Sequence, residues 1–530
     1  MLICITFFEL ISVLIWTIFL FRKCTIGGGK FPIFKEFTIL CVLLAFSFVL
    51  GGQLSSLYNS GHYIEVLTLS NIGSYRDVGR KILVSSVLII FICLSLTIFA
   101  AATARKNWYK VLRWPAAVYL LLFICFNPNG AVISFSKTYE AYLSQSFFSP
   151  NARIRRFQQQ LYGQNETYRN DFDARKILDL RNKNIVVVFA EGFSAQWIDE
   201  FNQYKDLTPN INRFLAQSVY FDNYYNHTAA TFRGLRGQLT SSYQYRGGYT
   251  SKKDGLGQVG VENINSTLTE SIVSVPQILR DNNFHSYFLV AHPNNYSLTQ
   301  MLKTLGFDNV FGADDFPVQR TGIDLTDQQI FRALGNLVNS DKLQQPYFIG
   351  TYNVGTHYGQ NSPDVKYGDG KNKLLNTIHN FDDAFGRFWN SVKSRKDLVV
   401  IFTADHAAYP SSLYNRTFST HRRFFVDRIP FAVWGHEIKP KMIDSHGRNS
   451  LDFAPTLMQA MGIRKSFNYF LGCSLFSEKC EREFEYIYCQ GDWCLKTPEM
   501  RVLDDGNADD RTVYQKIMDF YNLSEDRRFY

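Results

Sequence analysis

The stretch Asn184-Ile-Val-Val-Val-Phe-Ala-Glu191-Gly192 begins with an unbroken apolar run rich in β-branched residues and ends on a carboxylate and a glycine. A run of this kind predicts a strand that is buried on both faces, as in a parallel sheet covered by helices. In open α/β sheets, ligands gather at the carboxyl ends of the strands. Glu191 is therefore a candidate site residue.

Strand-like runs and segments with helical periodicity alternate after this stretch. The strand-like runs lie at 219–225, 285–291, 347–352, 398–402 and 429–434, and the helical segments at 275–281, 324–338, 374–392 and 451–461. Such alternation predicts an α/β fold with a mostly parallel sheet sandwiched by helices. The predicted catalytic domain, 184–475, is long enough to bury a substantial core.

Two further segments carry side chains that could complete a site with Glu191. Asp405-His406 follows a strand-like run, and Thr231 lies in Thr-Ala-Ala-Thr-Phe-Arg-Gly-Leu. If Thr231 opens a helix that faces the same sheet edge, two carboxylates, an imidazole and a hydroxyl would converge. A divalent cation bound there would make the threonine hydroxyl nucleophilic near neutral pH. Thr228 is the alternative nucleophile, although it could instead cap the helix.

Four apolar stretches precede this domain, and each approaches the length needed to cross a bilayer. They lie at roughly 1–21, 34–50, 82–102 and 114–133. We therefore expect about four transmembrane helices within 1–135, followed by a polar linker near the membrane at 136–183. The first stretch carries no Lys or Arg at its start and no small-residue cleavage motif, which favours a retained helix over a signal peptide.

Basic residues in the short loops predict the orientation of these helices, because Lys and Arg favour the cytoplasmic side. They cluster between the first and second stretches and between the third and fourth, at Arg22, Lys23, Lys30 and Lys35 and at Arg105, Lys106, Lys110 and Arg113. The catalytic domain is then expected outside the inner membrane of a bacterium, in the periplasm. These loops also supply much of the net charge of +9. Since no aromatic-basic module accompanies that charge, no nucleic-acid partner is predicted.

Cysteine placement agrees with an exported domain. None of the nine cysteines lies between 126 and 472, and four follow: Cys473 at the end of the predicted catalytic domain, and Cys480, Cys489 and Cys494 in the predicted C-terminal extension, 476–530. In an exported segment this cluster predicts two disulfides, whose pairing the sequence leaves open. Four free thiols or a zinc clip are the alternatives.

Several motifs occur in a characteristic order. They are Glu191-Gly-Phe-Ser, Thr208-Pro-Asn-Ile, Thr231-Phe-Arg-Gly-Leu, Leu305-Gly-Phe-Asp-Asn-Val-Phe-Gly, Thr403-Ala-Asp-His and Asp452-Phe-Ala-Pro-Thr-Leu-Met-Gln-Ala-Met-Gly-Ile. Together they resemble the sulfatase branch of the alkaline phosphatase superfamily. With the N-terminal helices, the chain is similar to lipoteichoic acid synthases and related phosphoglycerol and phosphoethanolamine transferases.

The resemblance implies a role for each residue of the predicted site. Glu191, Asp405 and His406 would be ligands of one divalent metal ion, Mn²⁺ or Zn²⁺, and Thr231 would be both a ligand and the nucleophile.

Substrate-binding residues are also implied. His357, in Gly-Thr-His-Tyr, stands where similar synthases keep a substrate-binding histidine, and it could protonate a leaving alkoxide. His292 is a second candidate, although its segment lacks the Trp and Arg of those synthases. Arg233, two residues after the nucleophile, could hold a phosphate oxygen or lie on a solvated helix face. His421 and His446 could support a second metal or the acceptor.

The activity that the resemblance implies is transfer of a phospholipid head group, through a phosphothreonine, to a periplasmic or cell-surface glycan or lipopolysaccharide acceptor. Phosphoethanolamine transferases that modify lipid A usually show Glu-Thr-Ala-Arg where this chain has Glu191-Gly-Phe-Ser, so phosphoglycerol is favoured over phosphoethanolamine. No Cys/Ser-x-Pro-x-Arg motif lies near Thr231, which argues against sulfate-ester hydrolysis. The alternatives are a phosphodiesterase or sulfatase-like hydrolase and a non-catalytic membrane scaffold.

Overall fold

The chain divides into two compact units, Met1–Ser144 with Pro410–Arg416, and Gln145–Tyr409 with Thr417–Tyr530. The computed structural model describes residues 2–26, 32–59, 63–64, 80–103, 130–147, 177–228, 231–241, 273–320, 322–357, 364–422, 427–463, 470, 472–477, 486–489 and 492–495.

The first unit is helical where it is described. Its helices are α1 (Leu2–Ile26), α2 (Pro32–Asn59), α3 (Arg80–Thr103) and most of α4 (Ala131–Phe147). Of the helices that the structure describes, two contain segments long and apolar enough to cross a membrane, Phe37–Asn59 and Ile82–Ala101, and the apolar part of α1, Leu2–Ile18, is shorter. Most of the fourth predicted span, 114–133, and most of the predicted linker, 136–183, lie outside the described residues.

Polar side chains join the helices of this unit. Glu9 Oε2 accepts a hydrogen bond from the Ala131 amide at 2.8 Å, and Gln53 Nε2 donates to the Ala131 carbonyl at 3.0 Å. The hydroxyls of Ser47 and Thr97 lie 2.5 Å apart. Bonds of this kind between apolar helices are typical of packed membrane segments.

One sheet forms the centre of the second unit. Its strands within the described residues are β1 (Asn184–Ala190), β2 (Val219–Asp222), β3 (His285–Val290), β4 (Asn309–Phe311), β5 (Tyr347–Tyr352), β6 (Leu398–Ala404), β7 (Phe431–Gly435) and β8 (Lys441–Asp444), in the order β4-β3-β5-β1-β6-β7-β2-β8. Neighbouring strands are parallel except at β7, which runs antiparallel to β6 and β2. The predicted α/β fold with a mostly parallel sheet is confirmed.

Helices and loops cover both faces of this sheet. The described helices of this unit are α5 (Pro209–Leu215), α6 (Thr231–Thr240), α7 (Val275–Asp281), α8 (Ser297–Thr304), α9 (Asp327–Val338), α10 (Lys373–Val392) and α12 (Phe453–Ala460), whereas α11 (Ser412–Thr417) belongs, except for its last residue, to the first unit. Every residue of β1, β5, β6 and β7 is buried. Since successive side chains of a strand point to opposite faces, burial at every position requires cover on both sides.

Aromatic packing anchors the segment that follows β1. The Phe193 ring lies 5.5 Å from that of Phe402 on β6 and 5.6 Å from that of Phe381 on α10, and it contacts Trp197 edge-on at 4.9 Å. Pairs of this geometry contribute about 0.5–1.5 kcal/mol each beyond the burial of their area. The turn that carries Glu191, two residues before Phe193, is therefore tied to the core.

Several boundaries differ from the sequence predictions. The predicted strand 219–225 ends at Asp222, and Tyr225 beyond it forms isolated bridges with Arg428 and Asn449. The predicted helix 451–461 begins with a 3₁₀ turn, Ser450–Asp452, before α12. The short strands β4 and β8 and helix α8 were not predicted, because three to eight residues contain too few turns or alternations to show a period.

The C-terminal extension contains a two-stranded antiparallel hairpin, β9 (Tyr486–Cys489) and β10 (Asp492–Leu495). In its register Cys489 faces Asp492 and Cys494 faces Ile487, so these two cysteines are diagonal neighbours. Cys480 lies outside the described residues, and the two predicted disulfides remain a prediction.

Candidate active site

Three neighbouring strands deliver the candidate residues to one sheet edge. Glu191 follows β1, Asp405 and His406 follow β6, and Tyr352 is the last residue of β5. Because β1 lies between β5 and β6 and is parallel to both, these strand ends meet. Gly192 completes the turn after Glu191 with a φ of 53°, a conformation that favours glycine.

Helix α6 brings Thr231, its first residue, to the same edge. The helix approaches the β6 end so closely that a Cβ on Gly234 would lie 2.1 Å from the Asp405 carbonyl oxygen. Farther along α6, Gln238 Nε2 donates to the carbonyls of Ala404 at 3.0 Å and Asp405 at 3.2 Å. These bonds fix the position of the helix, and with it Thr231, relative to the Asp405–His406 turn.

Glu191, Asp405 and His406 form a buried cluster that could hold a metal ion, with one ligand atom from each within 4.8 Å of the others. His406 Nε2 lies 3.6 Å from Glu191 Oε1 and 3.4 Å from Asp405 Oδ2. A tetrahedral ion with ligands at 2.0–2.2 Å requires ligand atoms about 3.3–3.6 Å apart. These two separations fit an ion such as Zn²⁺.

Backbone groups orient the two candidate ligands that follow β6. Asp405 Oδ1 accepts from the amides of Gly192 at 2.8 Å and His406 at 2.7 Å. Asp405 Oδ2 is buried and accepts no hydrogen bond within the described part of the chain. His406 Nδ1 lies 2.7 Å from the Ala407 carbonyl, a contact that places the proton on Nδ1 and the lone pair on Nε2.

Burial and mutual repulsion shift the pKa values of the three candidate ligands. Burial acts to raise the pKa of Glu191, but the charges of His406 and His357 and the hydrogen bonds of Tyr352 and Thr231 outweigh it and lower that pKa. Burial and the Glu191 charge hold the pKa of Asp405 well above its usual range, and burial lowers the pKa of His406. Two buried carboxylates cannot both ionise cheaply unless a cation joins them, so the donor set fits a divalent metal.

The structure places Thr231 against Glu191. The Thr231 hydroxyl donates to Glu191 Oε2 at 2.9 Å and lies 3.4 Å from the Tyr352 hydroxyl. Thr228 is buried in the loop before α6, where its carbonyl accepts from Asn226 Nδ2 at 2.8 Å.

A buried network that the sequence analysis missed surrounds the Glu191 peptide unit. Asn353 Oδ1 accepts from the Glu191 amide at 2.9 Å, and the Thr356 hydroxyl donates to the Glu191 carbonyl at 2.7 Å. Asp327, at the start of α9, accepts from Asn353 Nδ2 at 2.9 Å and from the Gly355 amide at 3.1 Å. Burial raises the pKa of Asp327 to about 6. The turn that leads to His357 is thus bound both to Glu191 and to α9.

The two histidines proposed for substrate binding both lie near this cluster. The charge of His357 acts on the pKa values of Glu191 and His406, so it is within electrostatic reach of both. His292 Nδ1 lies 2.8 Å from Asp324 Oδ1, and its ring centroid is 4.1 Å from that of Tyr296 and 5.9 Å from that of Tyr352.

Arg233 is only 4% exposed, which contradicts the alternative of a solvated helix face. His446 lies on a surface turn after β8, where its side chain is 83% exposed and pairs with Asp444 at 3.4 Å. His421 is exposed.

Comparison with known proteins identifies the family. The sulfatase family model matches residues 183–463, more than half of the chain. The chain belongs to the sulfatase family. The resemblance to the sulfatase branch of the alkaline phosphatase superfamily, predicted from the ordered motifs, is confirmed.

Relatives of this sulfatase-family chain include the lipoteichoic acid synthase-like protein YvgJ of Bacillus subtilis (strain 168), 22% identical over 336 residues that cover 56% of this chain and 50% of YvgJ. A 2,3-bisphosphoglycerate-independent phosphoglycerate mutase of Wolbachia pipientis wMel is 32% identical over 96 residues, 18% of each chain. The chain therefore spans half or less of the length of these curated relatives. The crystal structure of the lipoteichoic acid synthase LtaP from Listeria monocytogenes covers 70% of this chain and 98% of its own, with a TM-score of 0.53 and 15% identity, which shows a shared fold.

Proposed function

We propose that this protein is a membrane-anchored, metal-dependent transferase that moves a phospholipid head group to a periplasmic or cell-surface glycan or lipopolysaccharide. Phosphoglycerol is the favoured head group and phosphoethanolamine the alternative. The observation that carries the proposal is the hydrogen bond from the Thr231 hydroxyl to Glu191, inside the cluster that could hold a metal. The names of YvgJ and LtaP, which connect both relatives with lipoteichoic acid synthesis, support the same reaction class.

The proposed metal site consists of Glu191, Asp405, His406 and Thr231, with Mn²⁺ or Zn²⁺ as the ion. When bound, the ion would stabilise negative charge on the threonine oxygen and on the phosphoryl oxygens. Thr231 itself supplies the nucleophile, and Glu191 orients its hydroxyl. Thr231 is partly exposed at the start of α6, and its hydrogen bond to Glu191 holds the oxygen where a phosphate entering at the sheet edge would meet it.

Two displacements at phosphorus complete the proposed reaction. The Thr231 hydroxyl gives its proton to Glu191, to which it is hydrogen-bonded, as its oxygen forms a bond to the head-group phosphorus and the bond from phosphorus to the diacylglycerol oxygen breaks. His357 gives a proton to that leaving oxygen, so diacylglycerol is released. An acceptor hydroxyl then attacks the phosphothreonine, loses its proton to the same histidine and takes the head group, while the Thr231 oxygen leaves phosphorus and takes its proton back from Glu191.

Arg233 and His292 are proposed to bind the donor. Arg233 lies two residues after Thr231 in α6 and is buried, and its guanidinium would match a phosphate oxygen. Because Asp324 accepts from His292 Nδ1, the other ring nitrogen is left to bind a head-group hydroxyl.

The apolar helices of the first unit are proposed to anchor the enzyme in the inner membrane as a multi-pass protein, with the catalytic domain in the periplasm. Two described helices have the length and composition for a span. Covalent attachment to them would keep the catalytic domain at the membrane that contains its donor and receives its diacylglycerol.

Intact-mass measurement tests the proposal. The purified full chain, in detergent with Mn²⁺ or Zn²⁺, is mixed with phosphatidylglycerol or phosphatidylethanolamine, and the mass gained identifies the head group that was transferred. We expect one adduct on Thr231, none after metal removal by a chelator, and its return when metal is restored. Turnover without any effect of rigorous metal removal would contradict the mechanism.

Threonine variants locate the nucleophile. Thr231→Ala should melt at the temperature of the wild type and form no adduct, Thr231→Ser should retain some, and Thr228→Ala serves as the matched control with full labelling. Labelling that persists in Thr231→Ala and vanishes in Thr228→Ala would move the nucleophile to Thr228. Release of the free head group to water at an equal rate with and without a glycan acceptor would indicate a phosphodiesterase.

A further inference from the structure

Tyr352 contacts both Glu191 and Thr231, the two central groups of the site. It is the last residue of β5 and is 2% exposed. Its hydroxyl donates a hydrogen bond to Glu191 Oε2 and lies 3.4 Å from the Thr231 hydroxyl. The Tyr352 hydroxyl can therefore orient both the candidate ligand Glu191 and the proposed nucleophile Thr231.

The two carboxylate oxygens of Glu191 have different partners. Oε2 accepts from both Tyr352 and Thr231, whereas Oε1 lies 3.6 Å from His406 Nε2, on the side of the other candidate ligands. A carboxylate that is free to rotate could present either oxygen, or both, to an ion. With Oε2 occupied, Glu191 offers Oε1 alone.

The surrounding strands fix the position of the Tyr352 ring. In the sheet register Tyr352 pairs with Phe189 on β1 and with Val290 on β3, so its backbone is held on both sides. The His292 ring packs against it at 5.9 Å. The hydroxyl therefore has little freedom to follow Glu191, and the carboxylate must adapt to the tyrosine.

We propose that Tyr352 is a positioning residue of the metal centre, which binds Glu191 Oε2 so that Oε1 is the single oxygen offered to the ion and the Thr231 hydroxyl stays beside it. This role rests on the proposed metal-dependent function. Hydrogen-bond partners of metal ligands typically alter metal affinity by about 10–100-fold when they are removed. Tyr352 belongs to that class of residue.

Metal affinity in Tyr352→Phe tests this role, because the substitution keeps the ring and removes only the hydroxyl. The full-length, metal-free protein in detergent is titrated with Zn²⁺ or Mn²⁺ in competition with a chromogenic chelator. We expect the metal Kd to rise about 10–100-fold and kcat to recover as metal is raised. Tyr347→Phe is the matched control, since Tyr347 is the first residue of the same strand and is also buried, and its metal Kd should equal that of the wild type.

The outcomes separate this role from the proposed function. If the wild type binds metal and Tyr352→Phe binds it as tightly, the positioning role is wrong and the proposed function stands. If the wild type binds neither Zn²⁺ nor Mn²⁺, both are wrong. A lower melting temperature in Tyr352→Phe with an unchanged metal Kd would show a structural hydroxyl only, and would also overturn the inference.

Discussion

Asp327 is a fully buried carboxylate with one oxygen in the network around Glu191 and the other, Oδ2, with no hydrogen bond among the described residues. Burial raises its pKa from 3.8 to about 6. The folded protein then holds the Asp327 proton more tightly than the unfolded chain does. Its contribution to stability is present below about pH 4 and is lost as the pH rises through about 6.

Asp327→Asn should remove this pH dependence while it keeps the Oδ1 acceptor. Relative to the variant, the wild type should lose about 2–3 kcal/mol of unfolding free energy between about pH 4 and about pH 7. Melting temperatures of both proteins across that range measure the difference. Asp369→Asn is the control, because Lys371 lowers the pKa of this exposed residue and the expected slope has the opposite sign. Parallel curves for wild type and Asp327→Asn would contradict the prediction.

The metal ligands that sequence reasoning identified, Glu191, Asp405 and His406, all lie just after a recognisable strand-like run. Glu191 and Asp405 follow apolar strands, and their convergence depends only on β1 and β6 being parallel neighbours. Tyr352 and Asn353 also end such a run, and the same reasoning would have identified them. Asp327 shows no signal in the sequence, because its partners lie on a turn of a different strand and are fixed only by tertiary packing.

The close approach of helix α6 to the end of β6 requires a residue without a side chain, Gly234. A Cβ at Gly234 would lie 2.1 Å from the Asp405 carbonyl oxygen, which is backbone and cannot rotate away. Gly234→Ala should therefore displace α6 from the end of β6 and move Thr231 away from Glu191. We expect a loss of about 1–3 kcal/mol in stability and a loss of metal affinity, measured by melting and by chelator competition.

Gly322→Ala provides the control for this substitution. Gly322 has no atom within 4 Å of the position a Cβ would take, so both measurements should match the wild type. Wild-type metal affinity in Gly234→Ala would show that the close approach of α6 is not needed for the site.

The bounds of strands with long apolar runs were predicted closely. Strands whose direction or existence depends on pairing with a neighbouring strand were not. The bounds predicted for the first strand and for the 347–352 strand agree with β1 and β5, since burial on both faces imposes a continuous apolar run. The antiparallel direction of β7 could not be predicted, because a buried strand has the same composition in either direction. The exposed strand β8 lacks an apolar run altogether, and only its pairing with β2 defines it.

The cysteines provide a prediction for the whole chain. An exported catalytic domain should contain its four C-terminal cysteines as two disulfides, while the five others remain thiols. Alkylation of the denatured protein before reduction should then modify Cys4, Cys24, Cys41, Cys93 and Cys125. A second alkylation after reduction should modify the four C-terminal cysteines. Mass spectrometry counts both sets. Nine modified cysteines before reduction, in protein prepared without reductant, would contradict an oxidising location.

The bond between the Gly192 amide and Asp405 spans 213 residues of chain. During biosynthesis, a nascent polypeptide therefore displays Glu191 long before Asp405 and His406 have left the ribosome. Glu191 without the other two candidate ligands would bind metal ions weakly and with little selectivity. With the catalytic domain exported as proposed, the cation would be acquired after translocation, and the metal content of the compartment in which folding finishes, not that of the cytoplasm, would determine which ion the protein binds.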